Sequence, residues 1–143
     1  DLIKHLTSNA IAVMGHIGLM PQYVRSEGGY KVRGKTLEDE EQLIRHAIAV
    51  EKAGAFAIVI EGLKSDVAKK ITEAVNIPTI GIGAGNETDG QVLVWSDMLG
   101  FFEDFKPKFV RHYLNGAKLV KEAVNSYRDD VQTQNFPSKE EEY

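Results

Sequence analysis

An apolar run without alternation, Phe56-Ala57-Ile58-Val59-Ile60, ends in a carboxylate, Glu61, followed by Gly62. A strand with one wet face alternates apolar and polar residues. A strand covered on both faces does not, so this run predicts an interior strand of a parallel sheet. In open α/β sheets and in α/β barrels the carboxyl ends of such strands are where ligands bind. A carboxylate at that end is partly desolvated, which raises its pKa and makes it a proton acceptor near neutral pH. Glu61 is therefore the first candidate for a catalytic residue. The competing reading is a strand-end Glu held in an ion pair.

The rest of the chain repeats the pattern. Leu2, Ile3 and Leu6 share one face of a short helix that Ser8-Asn9 stops. Ile11-Ala12-Val13-Met14 reads as the first strand, with Gly15-His16-Ile17-Gly18 beyond its end. A long Gly-rich stretch from Leu19 to Lys35 follows and carries Tyr30, Lys31 and Arg33. A loop of that length in a compact domain is more often functional than idle. Thr36 predicts a helix N-cap, with Asp39 completing a capping-box analogue and Glu38 to Glu41 facing the positive end of the helix dipole. Leu43, Ile44, Ala47 and Ile48 form its inward stripe, Lys52 its last turn and Gly54 its close. After the Phe56–Ile60 strand, Ser65 is expected to cap a helix with Val67, Ala68, Ile71, Ala74 and Val75 inward. Further strands are expected at Ile77–Ile82 and Gln91–Trp95. A last long helix is expected from Pro107, with Val110, Tyr113, Leu114, Ala117, Val120, Val124, Tyr127 and Val131 in one stripe. The charged tail from Pro137 to Tyr143 is expected to be mobile. Gly116 would kink the helix or let a neighbour approach.

Alternating strands and helices imply a parallel sheet with right-handed crossovers. Four strands make half of an eight-stranded barrel or a small open sheet. A complete (β/α)8 barrel takes about 250 residues, more than the 143 present.

Several function classes are excluded or disfavoured. Net charge is −4 with no basic block, which disfavours nucleic acid as a partner. No apolar run approaches the ~20 residues of a membrane span, and no signal-peptide pattern is present, so a cytoplasmic location is expected. Cysteine is absent, which removes disulfides, thiolate nucleophiles and cysteine zinc sites. Gly81-x-Gly83-x-Gly85 fails the dinucleotide pattern, because Asn86 and Thr88 stand where its spacing asks for glycine, and no Gly-Lys-Ser/Thr follows to make a P-loop. These glycines are read instead as letting the backbone pass close to a ligand or neighbour. His16 shares the strand-end register of Glu61, so both are expected to face one mouth. His5, His46 and His112 fall on helices, and no histidine pair has metal-ligand spacing.

Val13-Met14-Gly15-His16-Ile17-Gly18-Leu19-Met20-Pro21-Gln22, Gly28-Gly29-Tyr30-Lys31-Val32-Arg33-Gly34 and Ala55 to Glu61 closely resemble the ketopantoate hydroxymethyltransferase family. Ile77 to Gly85, Asp89 to Val94 and Asp97-Met98-Leu99-Gly100 complete the resemblance, in the family's order and over essentially the whole chain. The resemblance implies a (β/α)8 TIM barrel of the phosphoenolpyruvate/pyruvate type. This chain would supply about its last four strands. Residues 1–143 would be the C-terminal half of one barrel domain, with the N-terminal half outside this chain. The implied reaction transfers a one-carbon unit from 5,10-methylenetetrahydrofolate to 3-methyl-2-oxobutanoate, giving 2-dehydropantoate in pantothenate biosynthesis. The family's catalytic base falls on Glu61 and a substrate-contacting histidine on His16. Tyr30, Lys31, Gly83 and Gly85 are expected to line a pocket or form a lid. The resemblance places the Mg²⁺-binding aspartates, a substrate lysine and a further glutamate in the N-terminal half, so no metal ligand is expected here and the chain alone is expected to be inactive. It also implies a homo-oligomer, a decamer in that family. Two other readings stand beside it. One is a different 2-oxo acid enolate lyase or mutase of the same barrel group, against which the Gly28–Gly34 segment argues. The other is an inactive fragment that only assembles, through its long helix, with other subunits.

Overall fold

The computed structural model describes residues 1–23, 25, 28–102 and 106–143. The chain forms two compact units, Asp1–Val92 and Leu93–Tyr143. The first contains α1 (Leu2–Ser8), β1 (Met14–Gly18), a 3₁₀ turn at Pro21–Tyr23, α2 (Leu37–Lys52), β2 (Ala57–Glu61), α3 (Ser65–Ala74), β3 (Thr79–Ile82) and β4 (Gly90–Gln91). Its sheet is parallel throughout, in the order β1-β2-β3-β4. The predicted α/β class with a parallel sheet is thus observed, as four neighbouring strands taken in chain order.

Residue parity divides the sheet. Gly15 and Ile17 of β1, Ile58 and Ile60 of β2, and Thr79 and Gly81 of β3 stand in register and are all buried. Over them pack Leu43 and Ala47 of α2 and Val67, Ala68 and Ile71 of α3. Each fully buried Ile or Val contributes about 1.5–3 kcal/mol relative to exposure. The alternate residues point the other way. His16, Val59, Glu61, Ile80 and Ile82 are only half-buried, and Met14 is exposed, with buried Ala57 the exception on that face. The sheet thus has a covered face and an open one, and Glu61 and His16 are on the open one.

The strands differ from their sequence-based bounds. β1 begins at Met14 rather than Ile11, so His16 lies within the strand and not beyond it. The Ile11 amide donates to the Leu6 carbonyl at the end of α1, which keeps it out of the ladder. β2 is shifted by one residue, to Ala57–Glu61, leaving Phe56 exposed outside it, and β3 starts two residues late, at Thr79. β4 is only Gly90–Gln91. Val92 adds one more bond, to the Gly81 carbonyl, before the chain leaves the sheet.

Helix α2 follows the sequence pattern. Thr36 Oγ1 accepts from the Asp39 amide, and Leu43 and Ala47 are buried, with Ile44 and Ile48 packed against the core. At α3 the N-cap residue is Lys64, whose carbonyl takes the Val67 and Ala68 amides, so Ser65 is already helical and makes no cap bond. Ala74, expected inward, is exposed.

The second unit contains α4 (Trp95–Met98) and α5 (Gly116–Gln132). Trp95, expected at the end of a strand, opens α4. Helix α5 starts at Gly116 and not near Pro107. The Tyr113 amide donates to Met98 and the Gly116 amide to Leu99, so 113–116 docks on α4 before the helix begins. Asn115 Oδ1 caps it by accepting from the Lys118 amide. Val110 is buried, outside the helix, whereas Val120, Val124, Tyr127 and Val131 form an exposed apolar stripe. No helix among the described residues is long and apolar enough to cross a membrane.

Candidate active site

Glu61 is the last residue of β2, and His16 lies on the neighbouring β1. In the ladder His16 stands opposite Val59, two residues before Glu61, so both side chains project from the same face. His16 Nε2 lies 3.2 Å from Glu61 Oε2. The imidazole N–H is not aimed at that oxygen, and Nε2 is buried with no aligned hydrogen-bond partner among the described residues. The histidine therefore stands within ion-pair reach of the carboxylate, although no hydrogen bond between them is aligned.

The Glu61 side chain is 18% exposed and that of His16 32%. Burial pushes the Glu61 carboxyl above its ordinary range, and His16 pulls the other way. Desolvation dominates, giving a carboxyl closer to the pH at which a general base works best.

The backbone around Glu61 is tied on three sides. The Leu19 amide donates to the Glu61 carbonyl at 2.8 Å, the Arg33 amide to the Gly62 carbonyl at 2.9 Å, and the Gly62 amide to the Ile82 carbonyl at 2.9 Å. Two glycines permit this closeness. Gly18 (φ +98°) and Gly62 (φ +60°) sit in the left-handed region. A Cβ on Gly18 would collide with the Glu61 carbonyl oxygen, and one on Gly62 would come within 2.8 Å of Leu19 Cβ.

A cavity of about 440 Å³ opens along the edge of β1 between α1 and α2. It is lined by Leu2, Ile3, His16, Arg33, His46 and Val50 among others, but not by Glu61. Among the described residues, no three His, Asp or Glu side chains gather to hold a metal ion.

The sequence model of the family described as ketopantoate hydroxymethyltransferase matches residues 1–139. The chain belongs to the ketopantoate hydroxymethyltransferase family. A 3-methyl-2-oxobutanoate hydroxymethyltransferase of Aliarcobacter butzleri is 87% identical over 143 residues, all of this chain and 53% of that protein. The protein of that name from Nitratiruptor is 64% identical over 143 residues, again all of this chain and 54% of the relative. One from Helicobacter pylori is 55% identical over 142 residues, 99% of this chain and 53% of the relative. The chain thus spans about half the length of the curated relatives it matches, and the relatives' name makes the family one of transferases.

Within this member of the ketopantoate hydroxymethyltransferase family, the structure brings two of the sequence-selected residues together, His16 and Glu61. Gly83 (φ +61°) is half-buried immediately after Ile82, the register partner of Glu61. Gly85 lies further along the β3–β4 crossover, against Ser65. Tyr30 and Lys31 are exposed on the Gly-rich segment. Residues 24, 26 and 27 of that segment lie outside the described residues. Sequence reasoning missed Leu19, whose amide reaches Glu61. It also missed the Arg33–Asp39 pair, because the capping pattern at Thr36 assigned Asp39 another task.

Proposed function

We propose that this chain is the C-terminal half of a (β/α)8 barrel enzyme that transfers a hydroxymethyl group from 5,10-methylenetetrahydrofolate to 3-methyl-2-oxobutanoate, giving 2-dehydropantoate for pantothenate biosynthesis. The observation that carries this reading is the desolvated Glu61 carboxylate, 3.2 Å from His16 on the open face of a parallel sheet. The names of the relatives supply the substrate class.

Glu61 is the base. Its carboxylate takes the C3 proton of the oxo acid, and the electron pair passes into the enolate. The enolate carbon forms the new C–C bond to the one-carbon unit, water supplies the hydroxyl oxygen, and tetrahydrofolate leaves. His16, whose buried Nε2 lies beside Glu61 without an aligned hydrogen bond, hydrogen-bonds the substrate as charge moves from the carboxylate to the enolate. The Gly28–Gly34 segment closes over the mouth by moving its Gly28–Val32 part about Arg33 and Gly34, which are held in place. The described residues do not form a site for the Mg²⁺ that the resemblance implies. In this reading its ligands belong to the other half of the barrel, and no step assigned to this chain runs through it. The exposed α5 stripe supports a homo-oligomer, and a cytoplasmic location belongs to the same reading.

The test uses a chain of the relatives' full length that carries these residues. It should exchange the C3 hydrogen of 3-methyl-2-oxobutanoate with deuterated water and form 2-dehydropantoate only when 5,10-methylenetetrahydrofolate is present. Exchange without folate-dependent product would transfer the assignment to a lyase or mutase acting on the same enolate. Absence of both would overturn it.

A further inference from the structure

Asp39 occupies the first turn of α2, and its amide is capped by Thr36. A capping box would turn its carboxylate back towards the Thr36 amide. The carboxylate instead leaves the helix. Oδ1 accepts from Arg33 Nη2 at 2.7 Å and from Arg33 Nε at 3.2 Å, and Oδ2 accepts from the Gly34 amide at 2.6 Å. This is a forked, charge-assisted contact that fixes both the side chain and the backbone of one short segment. The Arg33 guanidinium holds the Asp39 carboxyl below its ordinary range, as expected of a pair formed in the folded state.

The segment it holds is the one that returns from the Gly-rich loop to the strand mouth. Arg33 forms a parallel bridge with Leu63. Its amide donates to the Gly62 carbonyl, and its carbonyl accepts from the Lys64 amide at 3.2 Å. Gly62 directly follows Glu61. A chain of short contacts therefore runs from the α2 carboxylate through Arg33 to the backbone that carries Glu61, with Leu19 and Ile82 holding the same backbone from other sides.

We propose that Asp39 is a positioning residue for Glu61: by clamping Arg33 and Gly34 it holds the residue 33–34 arm against Gly62–Lys64, and so keeps the Glu61 carboxylate aimed and partly dry. The inference rests on Glu61 being the base. Asp39 touches no reacting atom in this scheme. A strand end freed on one side swings its terminal side chain, and a displacement of about 1 Å in a reacting group costs up to ~10²-fold in rate. The same release admits water to Glu61 and returns its pKa towards the ordinary value.

The experiment compares Asp39→Ala, Asp39→Asn and wild type in the full-length protein. For Asp39→Ala, kcat should fall about 10- to 100-fold, KM for 3-methyl-2-oxobutanoate should change less than about threefold, and the acid limb of the kcat/KM profile should move to lower pH. Asp39→Asn keeps an acceptor for Gly34 without the charge and should recover part of the loss. In parallel, amide hydrogen exchange at Arg33 and Lys64 should quicken at least about tenfold in Asp39→Ala, while amides within α3 keep their protection. A lowered melting temperature with unchanged kcat and an unmoved acid limb would show a merely structural pair and overturn the inference. Unchanged exchange at Arg33 and Lys64 would overturn it as well. If the wild-type protein neither exchanges the C3 hydrogen nor transfers the one-carbon unit, the proposed function fails, and the amide-exchange result decides the clamp on its own.

Discussion

Glu61→Gln in the full-length protein separates the role of the carboxylate from its shape. Gln has the same number of side-chain heavy atoms, so the 3.2 Å approach of His16 and the packing of β2 are kept. Only the titratable proton acceptor is lost. Removing a general base lowers turnover about 10²–10⁴-fold, or about 2.7–5.5 kcal/mol on the barrier. KM for the oxo acid should change much less. Stability gives a second reading. The folded Glu61 carboxyl titrates above its ordinary value of 4.5, because desolvation outweighs the pull of His16. The folded state thus holds this proton more tightly than the unfolded state. Its stabilising contribution is complete below 4.5 and is lost as pH rises through the folded value. Gln does not titrate. The variant should therefore gain stability relative to wild type as pH rises through that window and keep the gain above it. Steady-state kinetics and urea melts from about pH 4 to about pH 8 measure both effects. Near-normal turnover would refute the base. A stability difference that does not vary with pH would refute the desolvated carboxyl.

His16→Ala should weaken substrate handling, read as a fall in C3 hydrogen exchange, while the melting temperature moves little, because the imidazole is on the open face of the sheet; a large drop in melting temperature with intact kinetics would make it structural. Residues 28–34 should be cut faster by protease in the empty protein than with both substrates bound, and equal rates would count against closure. Thr79→Val removes the Oγ1 contacts with the Asp89 carboxylate, the Asp89 amide and Thr72 Oγ1, and should cost about 1–2 kcal/mol by urea melt, discounted because Asp89 is exposed. A change below about 0.5 kcal/mol would show that the Thr79 amide, 2.8 Å from Asp89, suffices alone. The polypeptide 1–143 expressed by itself should associate through the free edges of β1 and β4, so a cooperatively folding monomer on gel filtration would contradict the half-barrel reading.

The sequence pattern was most informative where one segment settles its own structure. The unbroken run before Glu61 marks a strand with a neighbour on each side, though one of its faces is open rather than covered, and Thr36 with the Leu43–Ala47 stripe marks α2, because helix capping and apolar patterning are local. It was least informative where a distant group competes for a backbone bond. Ile11 looks like strand until its amide is taken by Leu6, and the stripe from Val110 looks helical until Tyr113 binds Met98. The sequence pattern puts His16 and Glu61 on one side through a strand end that His16 does not occupy; they share the face because His16 stands within β1 opposite Val59, two residues before Glu61 and so of the same parity. The Arg33–Asp39 contact could not be anticipated, since an acidic residue three after a helix cap already has a sufficient local explanation.

Gly15 has a meaning beyond its place on the covered face. A parallel ladder displaced by one residue turns every side chain over. If β1 slipped so that His16 took the place of Gly15 opposite Ile58, the imidazole would enter the space beneath α2 and Ile17 would turn towards the mouth. A single Cβ at position 15 already overlaps Val50 Cγ1. A methyl group there requires Val50 to move, and an imidazole requires more. The crowding at position 15 thus disfavours the slipped register relative to the one observed. Gly15→Ala should therefore act on strand pairing and yield of folded protein more than on the chemistry of molecules that fold.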